Sequence, residues 1–141
     1  MLRRPAGALR QLVLEPQRRG REDEVRAGGQ RLVYIPGCAQ MTPELAERLC
    51  GADLVFFDGT LYRDDEMIRA GLGAKTGRRM GHMSLVGPDG TISAFAGLGV
   101  KRKVLVHINN SNPVLLDDSP ERAELTAAGW TVAHDGLEIV A

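Results

Sequence analysis

Cysteine is scarce in this chain: Cys38 and Cys50 are the only two, and no CxxC spacing joins them. That argues against a disulfide framework and fits a reduced, cytoplasmic compartment. Net charge is missing as well. Eighteen Lys and Arg balance 18 Asp and Glu, so the total points to neither nucleic acid nor an acidic partner. No apolar run approaches the roughly 18 residues that a membrane-spanning helix needs. The opening MLRRPAGALRQLVLEP has arginines but no apolar core of about 7–15 residues, so a secretory signal is not expected. There is no Walker loop, no GxGxxG after a strand, no GxSxG and no HExxH, nor any internal repeat or low-complexity tract.

What is present suits one domain, since 141 residues can bury a real core. The charge is unevenly spread. Residues 1–31 hold eight Arg against four acids, and residues 1–29 read as a solvated, poorly ordered basic segment, with Leu12-Val13-Leu14 as a candidate strand. The composition changes at Gln30, where the folded domain, residues 30–141, is expected to begin.

The elements alternate in an α/β manner. Arg31 to Ile35 is a strand closed by Pro36-Gly37. Thr42-Pro43-Glu44 supplies an N-cap, an N1 proline and an acid for the helix dipole, predicting a helix over 43–50 with Leu45 and Leu49 on one stripe. The strand 53–57 follows, completing a βαβ unit. Residues 64–69 suggest a short helix within a long, glycine-rich loop that runs to about residue 90. A helix over 91–98, a strand over 103–107, a capped helix over 120–128 and a closing hairpin over 130–140 are expected next. Asp135-Gly136 would form the turn of that hairpin.

Two of the buried runs end on residues that can ligate a metal. Leu54 to Phe57 leads into Asp58, and Val104 to Val106 leads into His107. Ligands in open α/β sheets sit beyond the carboxyl ends of strands, which makes Asp58 and His107 candidate metal ligands. His82, inside the long loop, is the third candidate. Each histidine taken alone is equally well a buried ring bonded to a loop carbonyl. Arg78 and Arg79, beside His82, are candidate substrate-binding residues for a carboxylate or phosphate, or simply a solvated basic patch. Asn109, Asn110 and Asn112 either orient His107 or only form the turn.

Four stretches carry a family resemblance: LVYIPGCAQMTPELAERL, ADLVFFDGTLYRDDEMIRAG, KTGRRMGHM and VLVHINNSNPVL. They resemble the carboxyl-terminal half of the pyrroloquinoline quinone (PQQ) biosynthesis protein B family, of the metallo-β-lactamase superfamily, from about Arg31 to Ile139. The resemblance implies half of an αββα sandwich, with a mixed sheet and helices packed on it. It puts Asp58 in the place of the metal-bridging aspartate and His107 in that of the last ligand histidine. His82 takes the place of an active-site histidine found in tRNase Z-like members and is the implied catalytic residue.

The implied cofactor is a divalent metal, iron or zinc. The implied activity is metal-dependent hydroxylation of the precursor-derived Glu–Tyr unit on the way to PQQ. The alternatives are non-catalytic binding or transport of PQQ or its precursor towards the periplasm, or an inactive fragment. The superfamily's HxHxDH-like motif is absent from this sequence, so the metal site is expected to be incomplete. A separate amino-terminal half chain or a homo-oligomer is the expected partner.

Overall fold

The computed structural model describes residues 23–140; the candidate strand at Leu12-Val13-Leu14 lies outside them. Among the described residues one mixed sheet forms the frame, with strands in the order β1-β2-β3-β4-β5. These are Asp23–Ala27, Gln30–Ile35, Leu54–Asp58, Arg102–Val106 and Trp130–Val132. β1 runs antiparallel to β2, and all the other pairings are parallel. The expected mixed α/β architecture is the one observed.

Register and burial define the two faces of the sheet. Val33 pairs with Val55, Ile35 with Phe57, Phe57 with Leu105 and Leu105 with Val132. Because side chains alternate along a strand, all of these share one face. They form a single core with Leu45 and Leu49 of α1 (Pro43–Leu49), Phe95 and Leu125. Phe95 sits edge-on to both Phe57 and Trp130, with ring centroids 4.8 and 4.9 Å apart. Each fully buried Leu or Phe contributes about 1.5–3 kcal/mol through loss of water contact. The opposite face carries Leu32, Tyr34, Leu54, Phe56 and Val104, none of which belongs to that core, and Tyr34 is exposed.

Capping explains where the helices start. Thr42 Oγ1 accepts from the Leu45 amide and opens α1, followed by Pro43 and Glu44. Arg31 closes α1 by donating to the carbonyls of Arg48 and Cys50. Further along come α2 (Glu66–Arg69), α3 (Gly77–Met80), α4 (Thr91–Phe95) and α5 (Pro120–Ala127). Ser119 Oγ caps α5 through the Arg122 amide at 3.0 Å.

Three expectations are corrected by the fold. Residues 23–29 were expected in a poorly ordered segment, yet β1 pairs with β2 through a tight turn at Gly28-Gly29. Both glycines have positive φ, 58° and 80°, the geometry that two-residue hairpins demand. The long loop is organised rather than open. The amide of Gly77 bonds to Asp64 O, that of Met83 to Cys38 O, and that of Leu85 to Leu61 O. Gly77 allows this closeness, because a Cβ there would lie 2.9 Å from both His82 O and Leu61 Cδ1.

The closing hairpin does not form. Trp130–Val132 lies parallel to β4, as a strand reached through the α5 crossover must, and residues 133–140 join no ladder. The turn at Asp135-Gly136 exists, but residues 137–140 form no strand beside β5.

Candidate metal centre

β3 and β4 stop side by side, and Asp58 pairs with Val106, the last residue of β4. Asp58 is fully buried at that edge. Its Oδ1 accepts from the Thr60 amide at 3.0 Å and from Thr60 Oγ1 at 2.6 Å. Its Oδ2 accepts from the Cys38 amide at 2.9 Å and lies 2.7 Å from His82 Nδ1. Gly59 makes the turn possible: its amide reaches Val106 O at 2.8 Å, and a Cβ would meet Ile108, Leu105 and Val106 at 3.0 Å.

His82 is delivered by α3. Thr76 caps that helix through the Arg79 amide, and Gly81, at φ 88°, ends it in the left-handed region. His107 follows directly on β4, at φ 54°, a conformation that non-glycine residues adopt at a cost of about 1–3 kcal/mol and that collects at functional sites. The two imidazole planes are nearly parallel, 17° apart, with centroids separated by 5.2 Å. Ligand atoms of Asp58, His82 and His107 all lie within 4.8 Å of one another. One carboxylate and two imidazoles form a donor set that zinc and iron both accept, so the residues present fit a divalent metal.

The loop after His107 is tied to the segment after Asp58. Asn109 N bonds to Thr60 O at 3.1 Å, and Asn112 Nδ2 bonds to Gly59 O at 2.8 Å. Glu66 of α2, itself buried, accepts from the Tyr62 amide at 2.9 Å and from Ser111 Oγ at 2.6 Å. Asn109 donates to that same Ser111 oxygen. Asn109 and Asn112 therefore hold the two ligand-bearing loops together, and none of their bonds is to the His107 ring. Tyr62 adds a tie to α5 through Glu124, and burial together with that bond pushes its phenol up to about 12.

Arg78 and Arg79 are exposed and make no bond to the cluster. The Arg78 guanidinium lies 3.9 Å from Asp89, in a cleft of about 410 Å³ whose lining includes Arg63, Met83 and Ser84. Thr60 and the Cys38 amide were not singled out from the sequence, although both touch Asp58. The Thr of the DGT motif is a side-chain signal that was available there. The Cys38 contribution is a backbone amide, which no side-chain pattern reveals.

The Beta-lactamase superfamily domain matches residues 24–108. The chain belongs to that superfamily. Over 112 residues, 79% of this chain, it is 66% identical to Coenzyme PQQ synthesis protein B of Xanthomonas campestris pv. campestris strain B100. Over 115 residues, 82% of this chain, it is 57% identical to the protein of the same name from Methylorubrum populi. In both cases the match covers 38% of the relative, so the chain spans well under half of their length.

The crystal structure of Zn(2+)-bound PqqB from Methylobacterium extorquens is 58% identical, with a TM-score of 0.79, over 81% of this chain and 41% of that one. A diphosphatase of the PhnP family shares the fold alone, at 22% identity and a TM-score of 0.50. The resemblance read from the four motifs is borne out. Among the described residues, no helix is long and apolar enough to cross a membrane.

Proposed function

We infer that this chain contributes part of a divalent-metal centre acting in PQQ biosynthesis. Asp58 and His107 would be metal ligands, with His82 as the catalytic residue beside them. One observation carries the reading: three ligand-type side chains from three separate segments converge at the carboxyl edge of β3 and β4. The high identity to Coenzyme PQQ synthesis protein B, and the zinc in its Methylobacterium relative, supply the pathway and the metal class.

Bound iron would supply the redox chemistry for hydroxylating a precursor-derived Glu–Tyr unit. This chain's own residues bind and orient. His82 Nδ1 lies 2.7 Å from an Asp58 oxygen that can only accept, which orients the ring as a general acid or base towards a bound group. Arg78, at the cleft beside Met83, is the candidate for binding a substrate carboxylate through its forked donors. Arg79, exposed and outside that cleft's lining, fits a solvated role.

Three donors of which one is an already hydrogen-bonded carboxylate make a sparse site, and the face bearing Tyr34 and Phe56 lies outside the helix-packed core. Both features favour a partner: an amino-terminal half chain that brings further ligands and covers this face, or a second copy of this chain. Restoring PQQ synthesis in a strain that lacks protein B tests the reading. This chain together with the remaining portion of the Methylorubrum populi relative should restore PQQ, and either piece alone should not. Undiminished PQQ formation by the pair after Asp58→Ala or His107→Ala would overturn it.

A further inference from the structure

Of the three acids in the Asp64-Asp65-Glu66 run, the first two work near the surface. Asp64 Oδ1 accepts from the Arg78 amide at 2.8 Å, and Asp65 pairs with Arg69 at 2.6 Å. Glu66 is buried and receives two donors, the Tyr62 amide at 2.9 Å on Oε1 and the Ser111 hydroxyl at 2.6 Å on Oε2. A carboxylate can only accept, so the single Ser111 proton points at Glu66. At that length the bond is charge-assisted, and stronger than one between neutral groups.

With its proton committed, the Ser111 oxygen offers only lone pairs to Asn109 Nδ2, 2.6 Å away. The same amide group lies 3.3 Å from Met67 Sδ, a second acceptor on α2. The chain of bonds from Asn109 through Ser111 to Glu66 therefore has its direction fixed at its charged end.

Asn109 stands two residues beyond His107, whose φ of 54° is strained for a residue with a Cβ. Such a conformation persists only where the surroundings over-determine it. Here β4 ends at Val106, the Asn109 amide is bonded to Thr60 O, and Asn112 N closes on Asn109 O at 2.9 Å.

We propose that Glu66 is a positioning residue: through Ser111 and Asn109, its buried carboxylate holds His107 in the left-handed turn that brings its ring to Asp58 and His82. The inference rests on the reading of that cluster as a metal centre. The charge matters. Leaving a buried carboxylate short of a donor is costly, which favours the closed loop over one that swings into water.

The test has two parts. NMR of the metal-free chain reads the turn directly, because a residue at positive φ gives an unusually strong contact between its own amide and Hα protons. His107 should show that contact in the wild type and in Ser111→Thr, which keeps the hydroxyl. Ser111→Ala and Glu66→Ala should weaken it severalfold while the core amides of β2 and β3 stay protected. Zinc titration of the same proteins should show affinity lowered about tenfold by either alanine variant and changed by less than about threefold by Ser111→Thr.

A Glu66 that only stabilises the fold would lower the urea midpoint and leave the His107 contact unchanged in chains that still fold, and that result overturns the proposal. If Glu66→Ala does not fold, Ser111→Ala decides. Absence of the contact in the wild type overturns it as well. If the contact follows the variants while zinc affinity does not, the hold on the loop stands and the metal reading fails.

Discussion

Two aspartates, Asp53 and Asp58, bracket β3, and they do different work. Asp53 stands before the strand. One of its oxygens accepts from Lys101 at 2.6 Å and the other from the Arg31 amide at 2.8 Å. The Lys101 side chain is 70% exposed, so this is a water-screened surface pair. Asp58 ends the strand and is fully buried. Amides, a hydroxyl and an imidazole surround it instead. At one end of the sheet a carboxylate pairs with a compact cation and staples three strands. At the other end the strands stop, their loops fold over the edge, and four donor groups converge on a buried carboxylate.

The difference gives an order of expected effects. Asp58→Ala should be the most damaging change, leaving four donor groups around a buried void, and is expected to cost about 3–5 kcal/mol in urea unfolding. Asp58→Asn keeps the shape but turns two acceptor positions into donors, and should cost about 1–3 kcal/mol. If either cost no more than an Asp53 substitution, the contrast between the two ends would collapse.

Ser111→Ala removes a donor from buried Glu66 and should cost about 1–3 kcal/mol. The amides of Asn109 and Asn112 should exchange faster with solvent, while the β2 and β3 core amides stay protected. Uniform acceleration would show that the tie between the two loops is not local.

Tyr62→Phe should cost about 1 kcal/mol at neutral pH, through loss of the bond to Glu124. Its pH dependence has a definite sign. The folded phenol titrates at about 12, above the unfolded value near 10, so folding favours the protonated form. The stability it contributes is complete below about pH 10 and is lost as pH rises through about 12. The gap between wild type and variant should therefore narrow across that window, and a constant gap would contradict the assignment.

Asp53→Asn should have the smallest effect. The Lys101 bond, then the Arg31 amide, holds this carboxyl below the usual range, so its contribution is present at neutral pH and is lost as pH falls through the lowered value. A small shift of the urea midpoint that shrinks further with added salt is expected. A large, salt-independent shift would move this pair out of the surface class.

The sequence made some of this legible and hid the rest for physical reasons. β2, β3 and β4 were readable because parallel strands buried in a core are short, continuous apolar runs. β1 was hidden by its charges: Asp23, Glu24 and Arg26 mark an edge strand, and only the Gly28-Gly29 turn betrayed the hairpin. The carboxyl-terminal hairpin looked convincing from Asp135-Gly136; the turn is there, but residues 137–140 form no strand beside β5. Asp58 and His107 were visible because buried runs ended on them. Glu66 lay unremarked inside the short helix expected over 64–69, and its bond to Ser111 spans 45 positions that no local pattern connects.

The most direct test of the central claim is a calorimetric zinc titration of the purified chain, of His107→Ala and of Asp58→Asn, with and without the remaining portion of the Methylorubrum populi relative. The predicted result is weak binding of one ion per chain by the wild type, at least about tenfold weaker binding in either variant, and much tighter wild-type binding once the second piece is present. Equal affinities in all three proteins, unchanged by the added piece, would contradict a metal centre built on these residues.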